Sequence, residues 1–549
     1  VFDLLPHDSE FRSVSLHRLN HRLGHTDFLN AEGTEVKNAE DQETSLFLCE
    51  STAISAFPFL NTSTAPMTEH LPLQKSRRDF FARTSDGLLG AALTHLLCDD
   101  FFGGSSALAA KNDEPGPASV FNLKPKKTHH PAKATSVIQL FMNGGPSQMD
   151  LFDPKPELRR LDGKPFPGNV EEIGNSNAQD IGVMMGGQYD FARHGESGMW
   201  MADILPHTSQ MADDICLINS MWTDHPNHDN ALYKIHSGRL FMGYPTLGAW
   251  TVYGLGSENQ DLPAYVVLND PLGPPKNGTR NWTSGFLPPV YQGTRFRPTG
   301  SPILNLKPQY EQPSTVTESA RGLLNKLDEI HRKNRPYYPE LDARIESYSL
   351  AARMQLSAGE ALDLSREEKH TQSMYGVGEE WTDSFGRRCL LARRLVERGV
   401  RFVQIFLEEQ PWDSHADLSA NHRGACLRTD KPVAGLLRDL KQRGLLDSTL
   451  VVWGGEFGRT PTTQKSANGF SGRDHNMQAF TSWMAGGGIK GGTSYGTTDD
   501  FGHAVVENPV SVHDFHATIL HQLGLHHQDL FFERSGLEER LTGFEPPRV

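Results

Sequence analysis

The stretch VAGLLRDLKQRGLLDSTLVVWGGEFGR, residues 433–459, predicts a helix, a tight turn and a buried strand in direct succession. Leu436, Leu437 and Leu440 recur at steps of three and four residues, so they line one face of the helix. Gly444 ends this helix, because glycine enters the left-handed conformation of a helix terminus without a steric penalty. The succession of helix and strand indicates an α/β protein.

The second half of this stretch predicts a strand that ends in charged side chains. The apolar run at 450–453 is too short for a helix and suits a strand buried on both faces. Two glycines end the strand, and Glu456 and Arg459 follow at once. Open α/β sheets bind ligands just beyond the carboxyl ends of interior strands. This strand end is therefore either part of a ligand site or an ordinary solvated turn.

The composition describes an acidic globular protein. Of the 549 residues, 37% are hydrophobic and 22% are charged, which allows a large buried core. The net charge of −14 argues against nucleic acid and anionic membrane surfaces as partners. The five cysteines are scattered without a CxxC pair, which argues against a disulfide scaffold or a cysteine-rich zinc module. The sequence contains no apolar run of the roughly 18 residues that a transmembrane segment needs.

The first 134 residues divide into three segments before the predicted domain at 135–549. Residues 1–75 are mixed polar sequence, and we interpret them as a disordered leader or an over-extended reading frame. Residues 76–109 begin with SRRDFF, which resembles a twin-arginine export signal, and they end in the small residues that signal peptidases prefer. Residues 110–134 are a linker rich in proline and lysine. We therefore expect export to the periplasm or the extracellular space.

Alternating strand, loop and helix patterns predict an α/β sandwich with a mostly parallel central sheet. The segment at about 254–375 is rich in glycine, proline and polar residues, and we interpret it as a long insertion that caps the domain or faces the substrate. The clearest strands are predicted at 136–142, 215–218, 400–407, 450–453 and 479–485.

A histidine-rich loop follows the strand predicted at 215–218. Its sequence TDHPNH contains Thr223, Asp224, His225 and His228. Proline and asparagine disfavour a regular element there, so the loop can bring metal-binding or proton-transferring side chains together. Histidines without any function at the surface are the alternative.

Three strand-end segments carry potential metal ligands. Because the carboxyl ends of parallel strands meet at one edge of a sheet, these side chains are expected to converge. A mixed set of carboxylates and imidazoles suits zinc or manganese, whereas a carboxylate-rich site would favour calcium. Each pair taken alone could instead be a hydrogen-bonded loop. The candidate ligands are Asp413, His415, Glu456, Asp474 and His475.

Three further residues are candidates for substrate binding. Arg459 and Arg473 carry planar guanidinium groups that suit a sulfate or phosphate group. Asn143 follows the first predicted strand, where neighbouring glycines and a proline allow the backbone to approach a ligand closely.

These motifs together resemble a known bacterial family. The family is catalogued as domain of unknown function fifteen-hundred-and-one, and its members are often exported by the twin-arginine route. LDSTLVVWGGEFGR and PVSVHDFHATILHQLGL are also similar to elements of the alkaline phosphatase and sulfatase superfamily. The resemblance covers about 136–549 and implies an alkaline-phosphatase-like three-layer fold, without implying a particular reaction. The motifs that carry it are NGGPSQMDLFDPKP, HPNHDNA, PWDSH, GGEFGRTP and GRDHN.

The sequence departs from the superfamily pattern at several site positions. Asn143 stands where the superfamily usually has an aspartate ligand, and Glu456 lacks the usual adjacent histidine. The Cys-x-Pro-x-Arg motif of ordinary sulfatases is absent from the sequence. Counting from different motifs places either Asp224 or His228 at the nucleophile position, and Thr223 is a third candidate.

Two functions fit these observations. The first is an exported, metal-dependent hydrolase that acts on a sulfated or phosphorylated small molecule or polysaccharide. The second is a non-catalytic exported protein that binds polysaccharide or a protein partner through the insertion. Convergence of the ligand-bearing segments favours the hydrolase, with zinc, manganese or calcium as its metal.

Overall fold

The computed structural model describes residues 122–169, 181–298, 300, 302–303, 313–335, 339–464, 471–543 and 547. These residues belong to one compact unit, Asp113–Val549. The predicted leader and export signal lie outside the described residues and stay predictions. The described part of the predicted linker is hydrogen-bonded to the domain, since Ala134 N donates to Gln522 O at 2.8 Å.

The described residues form strands of two to eight residues. In chain order they are β1 Ser136–Phe141, β2 Ile181–Met184, β3 Phe191–His194, β4 Met199–Ala202, β5 Ile215–Trp222, β6 Tyr265–Leu268, β7 Thr294–Phe296, β8 Phe402–Phe406, β9 Thr449–Gly454, β10 Gly458–Gln464, β11 Arg473–Asn476, β12 Phe480–Ala485, β13 Thr493–Tyr495, β14 Thr497–Thr498, β15 Val505–Glu507, β16 Val510–Ser511, β17 Phe532–Arg534 and β18 Leu537–Glu539.

Helices connect many of these strands. In chain order they are α1 Gln148–Leu151, α2 Pro156–Arg160, α3 His228–Ser237, α4 Leu247–Leu255, α5 Ser314–Lys333, α6 Pro339–Leu362, α7 Lys369–Met374, α8 Asp383–Glu397, α9 Leu418–Gln442 and α10 Val512–Gln522. Within the described part of the chain, no helix is both long and apolar enough to cross a membrane.

The central sheet has nine strands in the order β13-β5-β12-β9-β1-β8-β6-β7, with β16 paired to β5. The strand β12 is antiparallel to β5 and β9, whereas the other pairings in this sheet are parallel. A separate three-stranded sheet has the order β11-β10-β2. The predicted α/β class with a mostly parallel central sheet is confirmed.

Both faces of the central sheet are covered, which makes the domain three-layered. Ile138 and Leu140 pack into a core that contains Leu436 of α9. Val137 and Phe141, on the opposite face of β1, pack into a second core. Neighbouring residues of β1 belong to different cores because successive side chains of a strand point to opposite faces of the sheet. Helices α8 and α9 supply the first core, and α4 and α10 supply the second.

Two sequence-based boundaries need correction. The segment predicted as an insertion contributes β6 and β7 to the central sheet, because the run Tyr265–Leu268 is fully buried and pairs with β8. The strand predicted at 215–218 extends to Trp222, since β12, β13 and β16 all pair with it. The helix predicted at the start of residues 433–459 ends at Gln442, and Gly444 adopts φ +67°, the left-handed conformation expected of it.

Candidate metal centre

Four side chains converge beyond the carboxyl ends of the central strands. Each offers one potential ligand atom, and these atoms all lie within 4.8 Å of one another. They come from three places: the start of α3, the loop between β8 and α9, and the strand β11. The four residues, called the cluster below, are His228, Asp413, His415 and His475.

Asp413 lies at the middle of the cluster. Its Oδ1 is 3.0 Å from His415 Nε2 and 3.2 Å from His475 Nε2. Its Oδ2 is 3.3 Å from His228 Nε2. Three imidazole nitrogens therefore face one carboxylate, which is an arrangement of atoms that a divalent transition metal can share.

Two glycines allow the ligand-bearing segments to approach each other. Gly144 has φ +113°, and a Cβ there would lie 2.5 Å from Asp413 N. At Gly472, a Cβ would lie 2.2 Å from the carbonyl carbon of His415. Any side chain at these positions would push apart the turn after β1, the loop after β8 and the start of β11. The close packing of these segments thus explains the glycines at Gly144 and at Gly472 of the GRDHN motif.

Glu456 lies behind His228 and not among the converging ligand atoms. Its buried carboxylate accepts a hydrogen bond from His228 Nδ1 at 2.7 Å. The same carboxylate accepts from Gly144 N at 2.9 and 3.1 Å. This hydrogen bond fixes the orientation of the His228 ring, in which Nε2 faces the cluster. Glu456 therefore orients a candidate ligand, a role that sequence spacing did not distinguish from ligation.

We expect Glu456→Gln to weaken zinc binding about 10- to 100-fold, because outer carboxylate partners of ligating histidines have effects of that size. The measurement is zinc affinity by competition with a chromophoric chelator, with Glu368→Gln at a surface position (82% side-chain exposure) as control. A loss as large as that of Asp413→Ala would instead identify Glu456 as a ligand. Unchanged affinity would remove Glu456 from the centre altogether.

Asp474 lies at the edge of the cluster. Its Oδ1 is 3.8 Å from His415 Nδ1 and accepts a hydrogen bond from His475 N at 2.8 Å. Gln464 Oε1 contacts the same His415 nitrogen. Asp474 and Gln464 therefore lie on the Nδ1 side of the His415 ring, and Asp413 lies on its Nε2 side. Both Asp474 and His475 lie within β11, although the sequence suggested a loop.

The electrostatics of the cluster favour the protonation states that metal binding requires. Burial alone would raise the pKa of Asp413, but hydrogen bonds from three histidines and the charge of Arg459 lower it far below its usual range. Burial lowers the pKa of His475 to about 3. At neutral pH the carboxylate is ionised and this imidazole is neutral, as metal ligands must be.

The pKa of His228 is shifted in the opposite direction from that of His475. Burial would lower its pKa, but hydrogen bonds to Asp413 and Glu456 raise it. A proton and a metal ion therefore compete for the same nitrogen, and metal binding would release that proton. The aromatic ring of Phe457, the residue after Glu456, packs against His228, with 4.7 Å between the two ring centroids.

Arg459 does not present its guanidinium group to a substrate in this structure. The side chain is fully buried. Its Nε donates to Gly145 O at 2.8 Å, its Nη1 to Arg473 O at 3.1 Å, and its Nη2 to Asp413 Oδ1 at 2.7 Å. Arg459 holds the turn after β1 against the cluster, so its predicted substrate contact is replaced by a structural one.

Arg473 is also buried and fully engaged. Its Nε donates to Asp150 Oδ2 at 2.8 Å, and both partners have no exposed side-chain surface. The remaining donors reach the carbonyl oxygens of Thr460 at 3.2 Å, Met185 at 3.1 Å and Gly186 at 3.2 Å. Burial would raise the pKa of Asp150, but the charge and hydrogen bonds of Arg473 lower it. The pair joins β11 to α1.

We expect Arg473→Met to lower the free energy of unfolding by about 3 kcal/mol, because it leaves the Asp150 carboxylate buried without its counter-ion. Urea unfolding measures this effect. Arg160→Met, which removes an exposed pair with Glu157, is the control and should cost less than about 0.5 kcal/mol. Wild-type stability combined with a raised KM for an anionic ester would restore the substrate-binding assignment.

Asn143 is buried and ties the end of β1 to the loop after β8. Its Nδ2 donates to the carbonyl oxygens of Leu407 and Glu408, both at 3.1 Å. Its Oδ1 accepts from Leu407 N at 3.3 Å. The structure thus gives Asn143 a supporting contact for the loop that carries Asp413, in place of the predicted contact with substrate.

The loop between β5 and α3 contains the candidate nucleophiles. The Thr223 hydroxyl is buried, and its oxygen has no hydrogen-bond partner. Asp224 pairs with Lys234 Nζ at 2.5 Å, and His225 Nδ1 accepts from Asn227 N at 3.0 Å. Of this loop's candidates, Thr223 therefore has the unengaged functional group, and His228 belongs to the cluster.

One buried histidine near the cluster gave no signal in the sequence. His422 of α9 accepts a hydrogen bond from Ser147 N at 2.9 Å and contacts the Ser414 hydroxyl at 3.0 Å. Burial lowers the pKa of His422 to about 3, so it is neutral at physiological pH. Its neighbours are distant in sequence, which explains why local spacing did not reveal it.

A comparison with known protein families identifies the family to which this chain belongs. The family described as "Protein of unknown function (DUF1501)" matches residues 134–549, and the chain belongs to that family. The family membership predicted from the motifs is confirmed. No curated protein matches the chain.

Several solved structures share a low overall similarity with this one. A complex of Ps i-CgsB with k-i-k-neocarrahexaose is 14% identical, with a TM-score of 0.28 over 58% of this chain and 66% of that chain. The PsFucS1 sulfatase from Pseudoalteromonas sp. is 12% identical, with a TM-score of 0.29 over 71% and 68%. An alkaline phosphatase from the Antarctic bacterium TAB5 is 11% identical, with a TM-score of 0.27 over 72% and 99%.

Proposed function

We propose that this protein is a metal-dependent hydrolase of sulfate or phosphate esters. One observation carries the proposal: three imidazole nitrogens and one carboxylate lie within 4.8 Å of one another. Two of the four side chains, His415 and Asp413, are 35% and 23% exposed, so a ligand can approach from solvent. Catalytic metal sites characteristically keep such an open side.

The residues present fit a divalent metal ion. His228 Nε2 is buried and lies 3.3 Å from Asp413 Oδ2, and the hydrogen bond to Glu456 holds the ring in that orientation. A donor set of three nitrogens and one carboxylate suits zinc best and manganese less well, whereas calcium prefers oxygen ligands throughout. A bound ion would polarise an ester oxygen and lower the pKa of a nucleophile.

We assign the nucleophilic or water-orienting role to Thr223. Its buried hydroxyl is unpaired, whereas Asp224 is held by Lys234 and His228 is held by Glu456. The backbone of Thr223 is joined to the segment after β11, since Thr223 N donates to Met477 O at 2.9 Å, and Met477 is two residues beyond His475 in the chain. The substrate would be a sulfated or phosphorylated small molecule or polysaccharide, met outside the cytoplasm if the segment 76–109 directs export.

The experiment is an activity screen of the purified full chain with and without metal. Aryl sulfates, phosphate monoesters and phosphate diesters are offered before chelation, after chelation and after zinc is restored. We expect hydrolysis of one class that is lost on chelation and regained with zinc. Stoichiometric metal without any hydrolysis would favour the alternative, a non-catalytic binding protein.

A further inference from the structure

A segment of the predicted insertion lies against both loops that carry cluster residues. Glu409 N donates to Pro274 O at 3.0 Å, and Lys276 N donates to Glu409 O at 3.4 Å. Glu409 precedes Asp413 by four residues. The backbone from Pro274 to Lys276 is therefore fixed to the loop that supplies the central carboxylate.

The same segment is also fixed to the start of α3. Asn277 Nδ2 donates to Asp229 O at 3.2 Å, and Asp229 directly follows His228. This contact therefore joins the segment to the residue next to a cluster histidine in the chain. Asn281 Nδ2 donates to Lys276 O at 2.7 Å and fixes the peptide on the other side of the lysine.

Lys276 combines a fixed backbone with a loosely held ammonium group. Its Nζ is 3.8 Å from Asp229 Oδ1, which is longer than a hydrogen bond. The side chain is 33% exposed, and that of Asp229 is 48% exposed, so water screens their attraction. An oxyanion can replace Asp229 as the partner of Lys276 at little energetic cost.

Four other cations in the described segments around the cluster already have close protein partners. Lys234 is 2.5 Å from Asp224, and Arg428 makes two hydrogen bonds, at 2.6 and 2.7 Å, to Glu408. Arg459 and Arg473 are buried and donate to protein acceptors, as described above. Neither of the two arginines that the sequence suggested for a sulfate or phosphate group is therefore free to bind one.

We propose that Lys276 binds the sulfate or phosphate group of the substrate beside the metal centre and sets the preference for anionic over neutral esters. The inference rests on the proposed function, because it presumes an oxyanion at the cluster. A lysine ammonium is a compact charge on a flexible stem, which suits an oxyanion that must enter and leave. The predicted insertion thereby acquires a role in substrate recognition.

The test compares unaltered protein, Lys276→Met, Lys276→Arg and Lys441→Met, each as the full chain loaded with zinc. Lys441 pairs with Asp214 at the far end of α9 and serves as the matched control. Calorimetry measures the binding of inorganic phosphate and of sulfate. We expect Lys276→Met to weaken anion binding about tenfold with unchanged zinc content, and Lys276→Arg to recover part of the affinity.

The possible results separate this inference from the proposed function. Equal anion affinity in Lys276→Met and unaltered protein would overturn the role of Lys276 while leaving the metal centre intact. Zinc loading without measurable binding of either anion would also overturn it. Failure of the unaltered protein to load zinc would instead refute the proposed function on which the inference rests.

Discussion

Asp413→Ala is expected to abolish both metal binding and hydrolysis. Asp413 contacts all three cluster histidines through its two carboxylate oxygens. Its removal leaves three imidazoles without the negative charge that attracts a divalent ion, and it also deprives the buried Arg459 of its carboxylate partner. We expect hydrolysis at background level and zinc content below about a tenth of an equivalent per chain.

Zinc content and initial rates of hydrolysis, both measured on the same preparation, test this prediction. Asp214→Ala is the matched control, since Asp214 also pairs with a cation and its side chain is 18% exposed, against 23% for Asp413. Asp413→Asn, which keeps one ligand oxygen and loses the charge, should give an intermediate zinc affinity. Full zinc content in Asp413→Ala would show that the metal, if any, binds elsewhere.

Thr223→Val is expected to lower kcat by about 10³-fold or more while zinc content stays at the wild-type level. Valine keeps the branched shape of threonine and removes only the hydroxyl group. Because that hydroxyl has no partner in the folded protein, its loss should not reduce stability. A selective loss of kcat therefore identifies a chemical role and excludes a packing defect.

A second threonine provides a close control for this variant. Thr251 of α4 is fully buried, and its hydroxyl also has no hydrogen-bond partner. Thr251→Val should leave kcat unchanged, and Thr223→Ser should retain substantial activity. Retained activity in Thr223→Val would transfer the role to another residue of the loop, with Asp224→Asn and His225→Gln as the next variants to measure.

The sequence predicts those features that depend on local pattern and on the geometry of parallel sheets. Short apolar runs located β1, β8 and β9, because a strand buried on both faces requires unbroken hydrophobic residues. Asp413 and His415 follow β8 of the parallel sheet, so their place at its carboxyl edge was predictable, since strands that run in parallel place their carboxyl ends at one edge. His475 reaches the cluster from β11 of the separate sheet, where β10 and β11 are antiparallel, so this argument does not explain its position.

The role of each side chain depends on the direction in which it points, and the spacing of residues in the sequence does not determine that direction. Glu456 and His228 were both named, but only the structure shows that one orients the other. Arg459 and Arg473 were assigned to substrate from their chemistry, and their complete burial is a long-range property. Lys276 lies more than 130 residues before Asp413, so no local motif connects them.

The central claim is that the cluster binds a divalent metal ion, and metal analysis of the purified full chain tests it most directly. Inductively coupled plasma mass spectrometry should find roughly one equivalent of zinc or another divalent transition metal per chain. His475→Ala and His228→Ala should reduce that content. Less than about a tenth of an equivalent in unaltered protein, even after incubation with zinc, would contradict the account.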